Sequence, residues 1–332
     1  MKRKTTLIKI GAMMLFAMLV GIFAGIAWFT MNKDVSTGGM SVKSQANGFE
    51  LQVSGTTIGY NDLYTHLDSS LTGNSGTITN NNQGGQVISW RLEDGEKAIK
   101  PGSQGTLEFE VISNGANIDA LKYSLNITAY TATTREDPDP DYPNDPDKTI
   151  EVVTGLTEIT SSNSSGTKLD AVDYINTHVM FFTGRNGSSK DDYEYYGLIS
   201  NKEEFNLTLK NGVGTIYWIW PNTLGQIAFS TGESTYYTGT PVLYKTATSY
   251  NADRAAMTDY MTENRAAFFS GNGAEDYESL ITSMYTKWAT TTPEPVSYMA
   301  EYEKLSEGYN AADQAIGNNI DYVLLHMTVD TQ

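Results

Sequence analysis

Cysteine is absent from the 332 residues, which removes disulfides, thiolate zinc sites and cysteine nucleophiles together. Basic residues are scarce: 22 Lys and Arg stand against 39 Asp and Glu, for a formal charge of −17. The only dense basic cluster is Lys2–Arg3–Lys4, so the basic stripe that nucleic-acid binding needs is missing. Histidine occurs at His66, His178 and His326 alone. With that spacing there is no H-E-x-x-H helix, in which two imidazoles one turn apart grip a zinc beside a general base. A G-x-S-x-G elbow is lacking as well, and the glycine-rich spots at Gly84–Gly85 and 72–77 have no Lys-Ser/Thr after them. These absences read as a non-catalytic chain that needs neither cofactor nor metal.

What is abundant is tyrosine (21) and glycine (30), beside many Thr, Ser and Asn residues. That usage suits a β-rich extracellular surface. An exported chain without cysteine gains its durability from packing or assembly, which fits export from a Gram-positive cell. The length is enough for one large β domain or two ordinary ones.

The N-terminus carries the clearest local signal. Lys2, Arg3, Lys4 and Lys9 form a positive n-region, and Ile10–Phe29 is uncharged. Gly25 and Ala27 sit at −3 and −1 of a peptidase cut before Trp28, making residues 1–27 a signal peptide. The same run of about twenty apolar residues is long enough to span a bilayer, so a retained anchor is the alternative. Cleavage takes four basic residues and no acid, moving the formal charge from −17 to −21. It also frees a polar arm, residues 28–39, with Trp28 and Phe29 as aromatic anchors and Gly38–Gly39 as a hinge. Such an arm can add as a strand to a sheet edge, with main-chain bonds for affinity and side chains such as Val35 for register.

Downstream, residues 40–332 read as one β domain. Alternation predicts strands at Met40–Ala46, Phe49–Gly55 and Gln86–Leu92. Pro101–Gly102 and Asn114–Gly115 are turns around a strand carrying Leu107, Phe109 and Val111 on one face. Leu121, Tyr123, Leu125 and Ile127 mark the next strand. Further strands are expected at Thr177–Thr183, Phe205–Lys210, Thr215–Trp220 and Ile320–Val329. Between the last two the period changes to 3.6. Met257, Tyr260, Met261 and Phe268 line one helix, Tyr277, Leu280, Ile281, Met284, Tyr285 and Trp288 a second, and Met299, Tyr302, Leu305, Tyr309, Ala312 and Ile316 a third. A helical insertion of about 250–318 before the closing strand follows.

Several stretches resemble the TasA/camelysin family, the biofilm-matrix and surface proteins of Firmicutes processed by a SipW-type signal peptidase. They are AGIAWFT (24–30), the strand pair MSVKSQANGFELQVSG (40–55), IKPGSQGTLEFEVISNGANIDALKYSLNITAY (99–130) and the closing IDYVLLHMTVDTQ. The similarity covers about 21–55 and 99–130, weakens at 306–332, and is lost in the middle and in the helical stretch. It implies a jelly-roll-like β-sandwich and a secreted, cell-surface or matrix location. It also implies self-association into filaments, in which one subunit's N-terminal strand completes its neighbour's sheet. Camelysin is classed as a metallopeptidase, a reading that the three scattered histidines oppose. A membrane-anchored monomeric binding module, touching the membrane only through its N-terminal segment, is the other alternative.

Two further features have both a functional and a plain reading. In REDPDPDYPNDPDK (135–148), Asp137, Asp139 and Asp141 mimic the first ligands of an EF-hand. Tyr142 then stands where Gly is required and Lys148 where the bidentate Glu is required, so weak calcium binding competes with a solvated proline-rich loop. In YWIWPNTLG (217–225), alternation puts Tyr217 and Ile219 on one face and Trp218 and Trp220 on the other: core, or a carbohydrate platform. His326 reads as a packed sheet histidine between Leu324 and Thr328.

Overall fold

The computed structural model describes residues 49–53, 77–80, 86–92, 99–115, 117–138, 147–190, 192–229, 247–271, 276–288 and 295–330. These form ten strands: β1 (Phe49–Gln52), β2 (Thr77–Asn80), β3 (Gln86–Arg91), β4 (Gln104–Ser113), β5 (Lys122–Pro138), β6 (Thr149–Glu158), β7 (Met180–Asn186), β8 (Glu194–Leu198), β9 (Val213–Ile219) and β10 (Tyr322–Asp330). The helices are α1 (Thr167–His178), α2 (Gly225–Ala228), α3 (Ala247–Glu263), α4 (Arg265–Phe268), α5 (Tyr277–Trp288) and α6 (Pro295–Asn319). The strands pair antiparallel in two five-stranded sheets, ordered β1-β4-β9-β7-β8 and β2-β3-β10-β5-β6. The fold is therefore mainly β, with five of the six described helices between β9 and β10.

Alternation explains why the sheets face each other. Leu107, Phe109 and Val111 of β4 and Ile216 and Trp218 of β9 meet Tyr123, Leu125 and Ile127 of β5 and Leu325, Met327 and Val329 of β10 in one buried core. Each such side chain contributes about 1.5–3 kcal/mol of transfer free energy. Phe109 lies across from Gly214, its register partner, where a Cβ would come within 2.4 Å of the ring. The glycine makes room for the Phe109 ring.

The opposite face of the first sheet is also apolar. Met180 and Phe182 of β7, Tyr195 of β8 and Ile219 of β9 pack with Met257, Tyr260 and Met261 of α3, Ile281 and Met284 of α5, and Leu305 and Tyr309 of α6. Strand β9 thus buries Trp218 and Trp220 on the inter-sheet side, while Ile219 and the partly buried Tyr217 meet the helices. Helix α6 joins the two cores, with Tyr298, Leu305 and Tyr309 in the outer one and Ala312 and Ile316 in the inner one.

Several expectations change. Thr177 and His178 end helix α1 rather than open a strand: Thr177 Oγ1 bonds back to the Tyr174 carbonyl at 2.9 Å, and β7 begins at Met180. Residues 205–210 form no strand; Phe205 bridges Tyr123 in the second sheet and Lys210 bridges Val213 at the first. The segment crosses from one sheet to the other and packs Phe205, Leu207 and Leu209 against the core. It ends in a two-residue turn with Asn211 and Gly212 both at positive φ (54° and 83°), the backbone that Asn-Gly favours in tight hairpins. Strand β5 runs on to Pro138, paired to β6 across a register shift at Thr133/Thr134. The first residues of the acidic stretch are thus strand rather than loop. The expected strand Met40–Ala46 lies outside the described residues.

Candidate functional site

The geometry of the sheet edges singles out β1. Among the described residues β1 pairs only with β4, in the register Phe49↔Ser113 to Gln52↔Glu110. Val111 donates its N–H to Gly212, away from β1. Its partner Leu51 in turn points its N–H away from β4, and that amide donates to Oε1 of Gln86 at 2.9 Å. Gln86 begins β3 in the other sheet and is completely buried, so a carboxamide from the second sheet stands where a neighbouring strand would.

The outer edge of β5 shows the same device in finished form. Tyr123 exchanges both main-chain bonds with Phe205, Leu125 donates to the Lys202 carbonyl at 2.7 Å, and Ile159 donates to Ala129. Between them, Ile127 donates to Asn176 Oδ1 and accepts from Asn176 Nδ2, both at 3.1 Å. The Asn176 amide from α1 thus replaces one peptide of a strand along this edge. At β8 the edge is bent by Gly197 at φ +67°, and Tyr196 covers Gly184 on β7. Bending is a common protection for an exposed edge.

Two buried polar centres hold the helices on the sheets. His178, fully buried, faces Asp313 Oδ1 of α6 through Nδ1 at 2.7 Å and the Phe268 carbonyl through Nε2 at 2.9 Å, and stacks on Tyr309 at 4.2 Å. Asp313 Oδ1 also accepts from Trp220 Nε1 at 2.8 Å. One carboxylate therefore ties the end of α1, the end of β9 and α6. At the other centre, Lys202 Nζ donates to the carbonyls of Asn176 and Val179 at the C-terminal end of α1 and lies over the Phe181 ring. The residue as a whole keeps some exposure, but its ammonium is enclosed, and burial pushes it down to about 7.

The expected site residues fare unevenly. Ala27, Trp28, Phe29, Val35, Gly38, Gly39, Asp139, Asp141 and His66 lie outside the described residues. Asp137 sits on β5, where Arg135 grips its carboxylate with two bonds of 2.8 and 2.9 Å. Trp218 and Trp220 are buried in the inter-sheet core and present no face for a sugar. His326 lies between Ser89 Oγ and Thr128 Oγ1, at 2.7 and 2.8 Å, and burial lowers its pKa. His178 ends α1 and is held by Asp313 of α6 and the Phe268 carbonyl of α4. Among the described residues no group of three or more His, Asp or Glu side chains is placed to hold a metal ion, and no helix is long and apolar enough to cross a membrane. Compared with known protein families, with curated proteins and with solved structures, the chain matches none.

Proposed function

We propose that this is a non-catalytic, exported structural protein of the bacterial cell surface or biofilm matrix, built to join copies of itself into filaments. In this reading a SipW-type signal peptidase cuts between Ala27 and Trp28. The freed arm, Trp28–Gly39, then adds as a strand to a neighbouring subunit. The two sheets form a jelly-roll-like sandwich of the TasA/camelysin kind, with α3–α6 inserted before the closing strand.

The observation that carries the proposal is the place of β1. Among the described residues it is the edge strand of its sheet and the first element after the arm in the sequence. A head-to-tail contact that does not close generates a filament. The formal charge of −21 after cleavage opposes lateral clumping and makes bundling depend on salt. The buried His178, held by a carboxylate and a carbonyl, and the partly buried His326, held by two hydroxyls, speak for structural rather than catalytic roles. Mass spectrometry of the N-terminus of protein taken from the cell surface tests the processing step. A terminus at or near Trp28 supports the proposal; an intact Met1 or Lys2 favours a membrane-anchored monomer.

A further inference from the structure

We propose that Asn114–Gly115 is a self-modification site, at which the chain converts asparagine to isoaspartate through a succinimide, in the connection that leads from β4 of one sheet to β5 of the other. The inference depends neither on the arm nor on assembly.

Three Asn-Gly pairs lie within the described residues: Asn114–Gly115, Asn186–Gly187 and Asn211–Gly212. All three asparagines are exposed, and each is followed by the residue that hinders ring closure least, since glycine has no Cβ. Local sequence treats them alike, so only the fold can separate them. Closing the five-membered ring swings the peptide between the two residues until the glycine nitrogen reaches the asparagine Cγ. A backbone held by its neighbours resists that swing.

Two of the pairs are held. Asn211 and Gly212, both at positive φ, form a tight turn that Lys210 and Val213 close by exchanging main-chain bonds of 2.9 and 3.0 Å. The Gly212 carbonyl also accepts from Val111 at 2.8 Å. Asn186 is paired with Glu194 at the end of β7, and a Cβ on Gly187 would stand 2.4 Å from the Asp192 carbonyl oxygen. Asn114–Gly115 is held by far less. It follows the last residue of β4, and a Cβ on Gly115 would meet nothing within 4 Å. The Gly115 N–H rests on the Ser113 hydroxyl at 3.3 Å, not on a main-chain carbonyl.

The reaction needs only water. Hydroxide takes the Gly115 amide proton, the nitrogen attacks Cγ of Asn114, and the Cγ–Nδ2 bond breaks. Ammonia leaves with a proton from water, which restores the hydroxide. A second water then opens the ring. Attack at Cγ gives aspartate, and attack at the main-chain carbonyl gives isoaspartate, which carries the chain through the side-chain carbon. Either product adds one negative charge to the turn.

The test is mass-spectrometric peptide mapping of the full chain, incubated folded or in urea at mildly alkaline pH. Electron-transfer fragmentation tells isoaspartate from aspartate. In the folded chain, conversion at Asn114 is expected to be at least about tenfold faster than at Asn186 or Asn211, the factor set by about two backbone bonds that a held pair must first break. In urea the three rates are expected to converge to within about threefold. Equal rates in the folded chain would overturn the assignment, as would an unreacted Asn114 where the unfolded chain converts. A ranking that persists unchanged in urea would show that local sequence selects the site and would overturn the structural argument. Aspartate without isoaspartate would overturn the cyclic route.

Discussion

Replacing Lys202 by methionine should abolish a rise in stability with pH that the buried ammonium creates. The ammonium is enclosed by the Asn176 and Val179 carbonyls and the Phe181 ring, and burial holds its pKa at about 7 in the folded chain. The unfolded chain keeps the ordinary lysine value near 10.4. Between those values the unfolded state binds more protons, so stability rises with pH across that window and is flat below it for this group. A fall from about 10.5 to about 7 corresponds to roughly 5 kcal/mol. The two carbonyls at the helix end favour the charged form and offset about 1–3 kcal/mol of this. The wild type should therefore gain about 1–3 kcal/mol from this lysine between pH 6.5 and 9.5. Lys202→Met fills the same space without a proton to lose, and its stability should lack that gain. Urea denaturation of both proteins at pH 6.5, 7.5, 8.5 and 9.5 gives the difference, from which the other titrating groups cancel. A difference constant to within about 0.5 kcal/mol over that range would refute a buried, destabilised ammonium.

Other consequences are as specific. The Tyr123 hydroxyl is buried without a hydrogen-bond partner, and burial with Asp119 nearby raises its pKa to about 12. Tyr123→Phe should raise stability by about 1 kcal/mol, and a loss of stability in denaturant titration would show that the hydroxyl is satisfied. Met284, completely buried on α5, should cost about 2–5 kcal/mol when cut to alanine. Leu280, only partly buried, should cost clearly less; equal losses would contradict the assigned helix face. Asp313→Ala removes the acceptor shared by His178 and Trp220 and should cost about 3 kcal/mol. Retained stability would mean that the carboxylate is dispensable to the junction.

Much of the fold was legible wherever one rule acted alone. The alternation of Leu107, Phe109 and Val111, and of Val323, Leu325, Met327 and Val329, depends on a single buried face, and both strands follow it. The α5 stripe through Ile281 and Met284 is equally direct. Helix α1 was not legible, because its buried side includes Thr177 and His178 beside Ala171, Tyr174 and Ile175, and polar residues at core positions hide the period. Strand β6 was missed for a related reason: Val152 and Val153 are adjacent and both buried, which no alternation marks. The edge devices could not be read at all. Gln86 serves Leu51 from 35 residues away and Asn176 serves Ile127 from 49, and nothing local distinguishes either amide from a surface one. The prolines of the acidic stretch predict a loop, while pairing with β6 makes its first residues strand.

In the proposed assembly the arm joins subunits. Electron microscopy of protein beginning at Trp28, beside protein beginning at Met40, tests it most directly, with circular dichroism to establish that both are folded. Thin filaments from the first and soluble monomers from the second are the expected result. Filaments of equal abundance from both, or from neither at any salt concentration or pH, would contradict it.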